Sequence, residues 1–196
     1  MNLRIIIISI LFVFPRFKAY SMITNCNENH SVVLELGLIR AKELTKKLRF
    51  DISEYLKTTE YTINKKQKKK MLKAKYILKC AEWRSHSIIF SCTDSLPNER
   101  TALVTYPIFG NTIYVATKYL DNRGDSSINE HFESNFDITF DAYIMHVLTH
   151  KCGTWDGDYF SPANKPHSKW FRGWQNIAST YEYWATYGVC LPEVDC

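Results

Sequence analysis

Two histidines four residues apart, followed by an aspartate, are the residues of this chain best suited to chemistry. His146 and His150 would share one face of a helix, where both imidazole rings can reach one metal ion. The spacing alone is a weak signal, because ordinary surface or core histidines also fall four residues apart. Asp156 strengthens it, because Gly153 permits the chain to turn back after the helix. The pattern predicts a His, His, Asp site with one position open for water.

A cysteine beside this pattern has two interpretations. Cys152 could be a soft fourth metal ligand, or it could pair with Cys190 or Cys196, and the disulfide is favoured in a secreted chain. Two or three disulfides are expected from the six cysteines, and spacing alone does not choose among the pairings. The six are Cys26, Cys80, Cys92, Cys152, Cys190 and Cys196.

The elements that must position these residues are helices around a small sheet. Residues 139–150 contain no helix breaker, and Gly153 stands where a helix would stop. Apolar residues recur at helical spacing over 32–48 and 62–82, the second stretch with many lysines, and 175–187 is typical of a final aromatic helix. Short strands are predicted at 88–90, 102–106 and 112–116. The expected fold class is α+β, with a helical N-terminal part, a small sheet, the histidine helix and a C-terminal helix.

The first residues resemble a secretory signal peptide. Arg4 precedes an apolar run over 5–14, and Ala19-Tyr20-Ser21 supplies a cleavage site. We therefore expect a signal peptide at 1–21 and one secreted domain at 22–196. The apolar run is too short to span a bilayer, and no other stretch is long enough, so no membrane span is expected.

Charge is distributed unevenly along the chain. Residues 40–79 carry 14 Lys or Arg against four Asp or Glu, whereas 80–196 carry eight against 14. The lysine run at 65–70 is more typical of a solvated helix face than of a nucleic-acid site. Binding of a polyanion or nucleic acid through the lysines of 65–79 remains an alternative, which ranks low because no basic motif interleaved with aromatic residues supports it. The composition excludes disordered, collagen-like, coiled-coil and multi-pass membrane proteins.

The histidine segment resembles the deuterolysin and peptidyl-Lys metalloendopeptidase group, zinc proteases known as aspzincins. Their signature is His-Glu-x-x-His followed by Gly-Thr-x-Asp-x-x-Tyr, and residues 153–159 match its second half at every defined position. Further blocks are similar and occur in the same order, so the resemblance covers nearly the whole mature chain. These blocks include 54–59, 90–94, 110–114 and 176–185.

The resemblance implies a zincin-like fold and a role for each matching residue. His146, His150 and Asp156 would be zinc ligands, and Tyr159 would help to stabilise the tetrahedral intermediate. Glu182 matches an acidic residue that lines the pocket for the substrate lysine. The resemblance also implies a disulfide between Cys26 and Cys92.

Three departures from the family pattern bear on activity. Val147 occupies the position of the catalytic glutamate, and valine cannot accept a proton from the attacking water. Ser179 replaces an aspartate of the acidic pocket. Only residues 151–152 separate His150 from Gly153, fewer than in relatives.

The leading interpretation is a secreted pseudoprotease that binds a protein or peptide in its old active-site cleft, for instance as an effector. A vestigial site without metal is the alternative to a retained zinc site. A second interpretation is an active zinc metalloendopeptidase with an unconventional base, such as Asp158 or Glu182. The surrounding aromatic residues are more typical of a core, although part of the set could line a cleft; they are Trp155, Trp170, Trp174, Tyr181, Tyr183 and Trp184.

Overall fold

A computed structural model describes residues 22–96, 102–104, 110–121, 139–155 and 173–191. These residues form five α-helices, one short 3-10 helix and one four-stranded sheet. The α+β class expected from the sequence is confirmed. The expected signal peptide at 1–21 lies outside the described residues.

The first two helices form an antiparallel hairpin. Helix α1 spans Glu28–Thr58 and begins at Asn27, whose side chain accepts a hydrogen bond from the His30 amide at 2.8 Å. Helix α2 spans Lys65–Arg84 and begins with a reciprocal capping box between Asn64 and Gln67. The two helices pack through apolar faces, and side-chain bonds cross between them; these are Lys75 to Ser53 and Arg49 to Glu82.

The sheet has the order β1-β2-β4-β3. Strand β1 (Met22–Thr24) is parallel to β2 (Ile89–Thr93), β2 is parallel to β4 (Thr112–Ala116), and β3 (Ala102–Val104) is antiparallel to β4. The sequence did not predict β1, because three residues are too few to show strand periodicity.

The remaining helices cover the sheet and the hairpin. A single turn, α3 (Lys118–Asp121), follows β4, and α4 (Phe140–His150) packs against both α1 and α2. A 3-10 turn over Trp174–Asn176 leads into α5 (Ala178–Tyr187), which packs on α4. Eight of the 11 residues of α4 are buried, so this helix runs through the core.

Disulfides join distant parts of this fold. Cys26 bonds to Cys92, as expected, because the parallel register of β1 and β2 brings the two residues together. The expected bond from Cys152 to Cys190 or Cys196 is wrong: Cys152 bonds to Cys80, because α2 passes beside the end of α4. This pairing also excludes Cys152 as a metal ligand. Disulfides of this kind are typical of proteins in oxidising compartments.

The outer face of α2 corrects a second expectation. Tyr76 and Trp83 are 69% and 66% exposed, and helical geometry places them on the same face as several exposed lysines. Aromatic residues are therefore interleaved with lysines here, which the sequence analysis did not anticipate. Among the described helices, none has the length and apolarity needed to cross a bilayer.

Candidate metal centre

Helix α4 brings the two histidines together. The Thr139 side chain caps its start by accepting from the Ala142 amide at 3.4 Å, and the apolar residues that follow bury the helix. Because His146 and His150 are one turn apart, their rings meet on one face, with 3.0 Å between the two Nε2 atoms. The expected convergence of these side chains is confirmed.

The turn after α4 orients the His150 ring. Its Nδ1 lies 3.1 Å from the carbonyl oxygen of Thr154. A carbonyl oxygen only accepts hydrogen bonds, so Nδ1 is the donor here, and in the neutral ring Nε2 has the lone pair. A backbone acceptor behind a histidine is the usual way in which proteins orient an imidazole ligand toward a metal.

Two threonine hydroxyls and one glycine shape this turn. Thr149 donates its hydroxyl to the His146 carbonyl at 2.7 Å, and the Thr154 hydroxyl lies 2.8 Å from that of Thr149. Since the Thr149 proton is already engaged, Thr154 is the donor in the second bond. Gly153 has φ +87°, which a residue with a side chain rarely adopts. These contacts hold the Thr154 carbonyl beside His150.

The turn is also joined to the start of α5. Trp155 pairs with Ile177 as an isolated parallel bridge, in which the Trp155 amide donates to the Asn176 carbonyl and the Ala178 amide donates to the Trp155 carbonyl, both at 3.1 Å. The chain therefore leaves the histidine helix directly beside the helix that carries Ser179 and Glu182.

Glu182 lies behind His146. Its Oε2 is 3.0 Å from His146 Nδ1, an ion-pair distance whose direction is not that of a hydrogen bond, and both side chains are buried. The carboxylate charge favours a proton on Nδ1, and in that tautomer the His146 Nε2 lone pair is directed at the same point as that of His150. The sequence analysis placed Glu182 in a substrate pocket, and nothing in its type or spacing indicated this contact with His146. The role in a substrate pocket stays a prediction.

The arrangement of the two rings fits a shared cation. Two bare lone pairs at 3.0 Å repel each other, so the contact needs either a metal ion or a ring proton between the two nitrogens, as in a hydrogen bond from one imidazole to the other. Two nitrogen ligands of a tetrahedral zinc ion are about 3.3 Å apart, as its bond lengths require. The two histidines therefore match the donor type and spacing of zinc ligands.

The remaining predicted ligand, Asp156, is not among the described residues. Asp156 and Tyr159 lie outside the described residues, so the expectation that Asp156 returns toward the histidines stays a prediction. Within the described ranges, no three His, Cys, Asp or Glu side chains are grouped as a metal site. Ser179 is half-buried in the first turn of α5, one turn before Glu182.

Val147, at the position that the deuterolysin resemblance assigns to the base, is part of the hydrophobic core. It is 3% exposed and packs with the other apolar residues of α4. The valine therefore contributes to the stability of the fold, and its side chain has no group that accepts a proton.

Two neighbouring groups have shifted pKa values. Burial, with a contribution from the Arg84 charge, lowers the pKa of Lys151 to about 8, and its Nζ donates to the Gly110 carbonyl at 3.0 Å. Complete burial raises the pKa of Tyr181 well above 10.0, so this phenol stays neutral. Tyr181, Trp174 and Trp184 pack together in the core.

No model of a known protein family matches this chain, and no curated protein sequence matches it either. The resemblance to the deuterolysin group therefore depends on the residues quoted above.

Proposed function

We propose that this chain is a secreted, zincin-like protein of the deuterolysin type that holds zinc but has lost peptidase activity, and that it acts by binding a protein or peptide in the old cleft. The observation that carries this proposal is the pair of imidazole Nε2 atoms 3.0 Å apart on α4, beside a valine at the base position. Zinc bound there would polarise a ligand carbonyl and lower the pKa of water.

Each described residue of the site has a definite part in this proposal. His146 and His150 would supply two ligands, and the remaining predicted ligand is Asp156. The Thr154 carbonyl and the Glu182 carboxylate would hold the two rings in the metal-binding tautomer. These are binding and orienting roles, which survive the loss of the base.

The loss of activity follows from Val147. Peptide hydrolysis needs a group that accepts the proton of the attacking water and passes it to the leaving amine. An isopropyl group does neither, and loss of a general base typically costs about 100- to 10,000-fold in rate. Glu182 is the nearest described carboxylate to His146, but its oxygen faces Nδ1, on the side of the ring opposite Nε2. Its position therefore favours an orienting role over that of a base.

Secretion is supported by two features. The apolar start of the chain resembles a signal peptide, and disulfides join Cys26 to Cys92 and Cys80 to Cys152. A protein of this kind could serve as an extracellular effector, which would use the cleft for recognition.

A peptidase assay tests the proposed loss of activity. We expect the unmodified protein to cleave neither unfolded proteins nor lysine-containing peptides in the presence of zinc. Val147→Glu should restore partial cleavage. Val147→Gln should not, because glutamine has the size of glutamate but cannot act as a base. Thermal unfolding of both variants would verify that the core accepts the change. Robust, chelator-sensitive cleavage by the unmodified protein would contradict the proposal and favour an active peptidase with another base.

A further inference from the structure

The outer face of α2 has a composition that the fold itself does not need. Five exposed lysines lie on or beside this face: Lys65, Lys68, Lys69, Lys73 and Lys79. Three apolar side chains at positions i, i+4 and i+11 form its centre, and all are at least half exposed: Leu72, Tyr76 and Trp83. We call these eight residues the lysine ridge. It lies on a different helix from the histidine pair and is independent of the proposed metal site.

None of the five lysines has an ion pair with a carboxylate of the described ranges. The ion pairs of the hairpin lie elsewhere, from Lys47 to Asp51, Lys57 to Glu54 and Arg49 to Glu82. Exposed helix faces commonly alternate charges of both signs. The ridge presents positive charge alone.

This arrangement is unfavourable for an isolated helix. The first turn of α2 contains no acidic residue, so its lysines face the positive end of the helix dipole. Lys65 and Lys69, like Lys69 and Lys73, are four residues apart and repel each other. An anionic partner would relieve both effects.

The apolar centre of the ridge distinguishes between two kinds of anionic partner, a single-stranded nucleic acid and a lipid bilayer. A single-stranded nucleic acid is bound in a basic groove, where aromatic rings stack on bases. The ridge is the outer, convex face of a helix, and it contains Leu72, which offers a base nothing to stack on. A bilayer surface uses all three kinds of side chain, because lysines contact lipid phosphates while Leu, Tyr and Trp enter the interface.

We propose that the lysine ridge is a docking surface for anionic phospholipid membranes. The helix would lie flat, with Leu72, Tyr76 and Trp83 at the level of the headgroups. The flanking lysines would reach outward along their flexible stems to lipid phosphates. Such a contact would hold the secreted protein at a membrane without a membrane span.

Vesicle binding by the full secreted chain tests this proposal. The probes are vesicles of phosphatidylcholine alone and vesicles in which about a third of the lipid is phosphatidylserine. We expect binding to the anionic vesicles only, weakened by salt. Replacing Lys68, Lys69 and Lys73 with Gln should weaken binding roughly 100-fold, because each lysine near an anionic surface contributes about fivefold.

A matched variant separates the ridge from net charge. Replacing Arg40, Lys46 and Lys118 with Gln removes the same charge from exposed positions elsewhere and should weaken binding less than about threefold, through long-range attraction alone. An equal loss in both triple variants would overturn the proposal, as would no binding to anionic vesicles.

A second variant tests the apolar centre. Leu72→Gln combined with Trp83→Gln should weaken vesicle binding at least tenfold, in line with the loss of apolar surface from the interface. Unchanged binding would refute insertion of the ridge and indicate charge attraction alone. Binding of a single-stranded oligonucleotide without binding of vesicles would also overturn the proposal, in favour of a nucleic-acid surface.

Discussion

At the scale of single residues, the groups that contact the two histidine rings determine what the pair can bind. A backbone carbonyl accepts from His150, a buried carboxylate lies 3.0 Å from His146 Nδ1, and the two Nε2 atoms face each other. Such partners hold the tautomer and orientation of each ring. Val147, one residue from His146, is committed to the core. Under the proposed function, such a site would bind zinc but would lack the group that hydrolysis needs.

The role of Glu182 can be tested by removing its charge. Glu182→Gln should weaken zinc binding about 10- to 100-fold, because changes to the residue behind a histidine ligand typically have this effect. Isothermal titration with zinc measures the change. Asp141→Asn is the control, since it removes one carboxylate from α4 in the first turn, away from the histidine pair. Equal affinities of the wild type and Glu182→Gln would show that Glu182 does not orient His146.

Tyr181 gives a prediction about stability and pH. Its hydroxyl donates to the Gln175 carbonyl at 2.7 Å, so Tyr181→Phe should lower the free energy of unfolding by about 1 to 3 kcal/mol at neutral pH. Above pH 10 the unfolded chain releases the tyrosine proton while the native protein keeps it, so the wild type loses stability as pH rises. Urea titrations at pH 7 and above pH 10 should show this loss to be smaller in the variant. Parallel pH dependence of the two proteins would contradict the raised pKa.

At the scale of elements, α4 is placed by contacts at both of its ends. Phe140 near its start packs against Gly37 of α1, where even a Cβ atom would come within 2.5 Å of the ring. Beyond its last residue, Cys152 is bonded to Cys80 of α2, and Trp155 is paired with Ile177 before α5. The hairpin and α5 thus determine where the histidines lie.

The two disulfides that join pairs of described cysteines offer a matched pair of variants. The two bonds close loops of similar length, 72 residues for Cys80 to Cys152 and 66 for Cys26 to Cys92. Replacing either pair with serine should therefore lower the free energy of unfolding by a similar amount, about 2 to 5 kcal/mol. Only loss of the bond at Cys152 should weaken zinc binding, because only that bond lies beside His150. Denaturant unfolding and zinc titration measure the two effects. Equal zinc affinity in both variants would show that the bond does not position the site.

At the scale of the whole molecule, the basic face and the histidine pair lie on different helices. The α1 and α2 hairpin carries most of the positive charge of the chain, while the histidine pair lies on α4 against α5. A basic outer face and a buried histidine pair on different elements can act independently. A membrane contact through the lysine ridge would leave the histidine pair unchanged.

Some of this organisation could be predicted from the sequence because it is local. The helix over 139–150, its stop before Gly153 and the strand at 112–116 follow from periodicity and turn residues, and α4 and β4 lie where they were expected. The convergence of His146 and His150 follows from helical spacing alone. Their partners are not local, since Glu182 is on another helix and Cys80 is 72 residues from Cys152. Tertiary packing decides such pairs, and one sequence contains no signal for it.

The exposed face of α2 could have been found in the sequence. Leu72, Tyr76 and Trp83 are spaced as one helical face among the lysines. A lysine run by itself is typical of a solvated helix face, and that interpretation left these three residues out. Projecting the helix from its true start at Lys65 makes the pattern visible.

Zinc content tests the central claim most directly. The purified protein, equilibrated with zinc and then freed of excess metal, should retain one zinc ion per chain by mass spectrometry. His146→Ala and His150→Ala should each abolish retention, whereas His86→Ala, at an exposed position after α2, should not. Zinc at 100 times its dissociation constant should also stabilise the wild type by about 2.7 kcal/mol. A wild-type protein that retains no zinc, or one whose zinc is unaffected by both site variants, would contradict the account and leave a shared proton between the two rings.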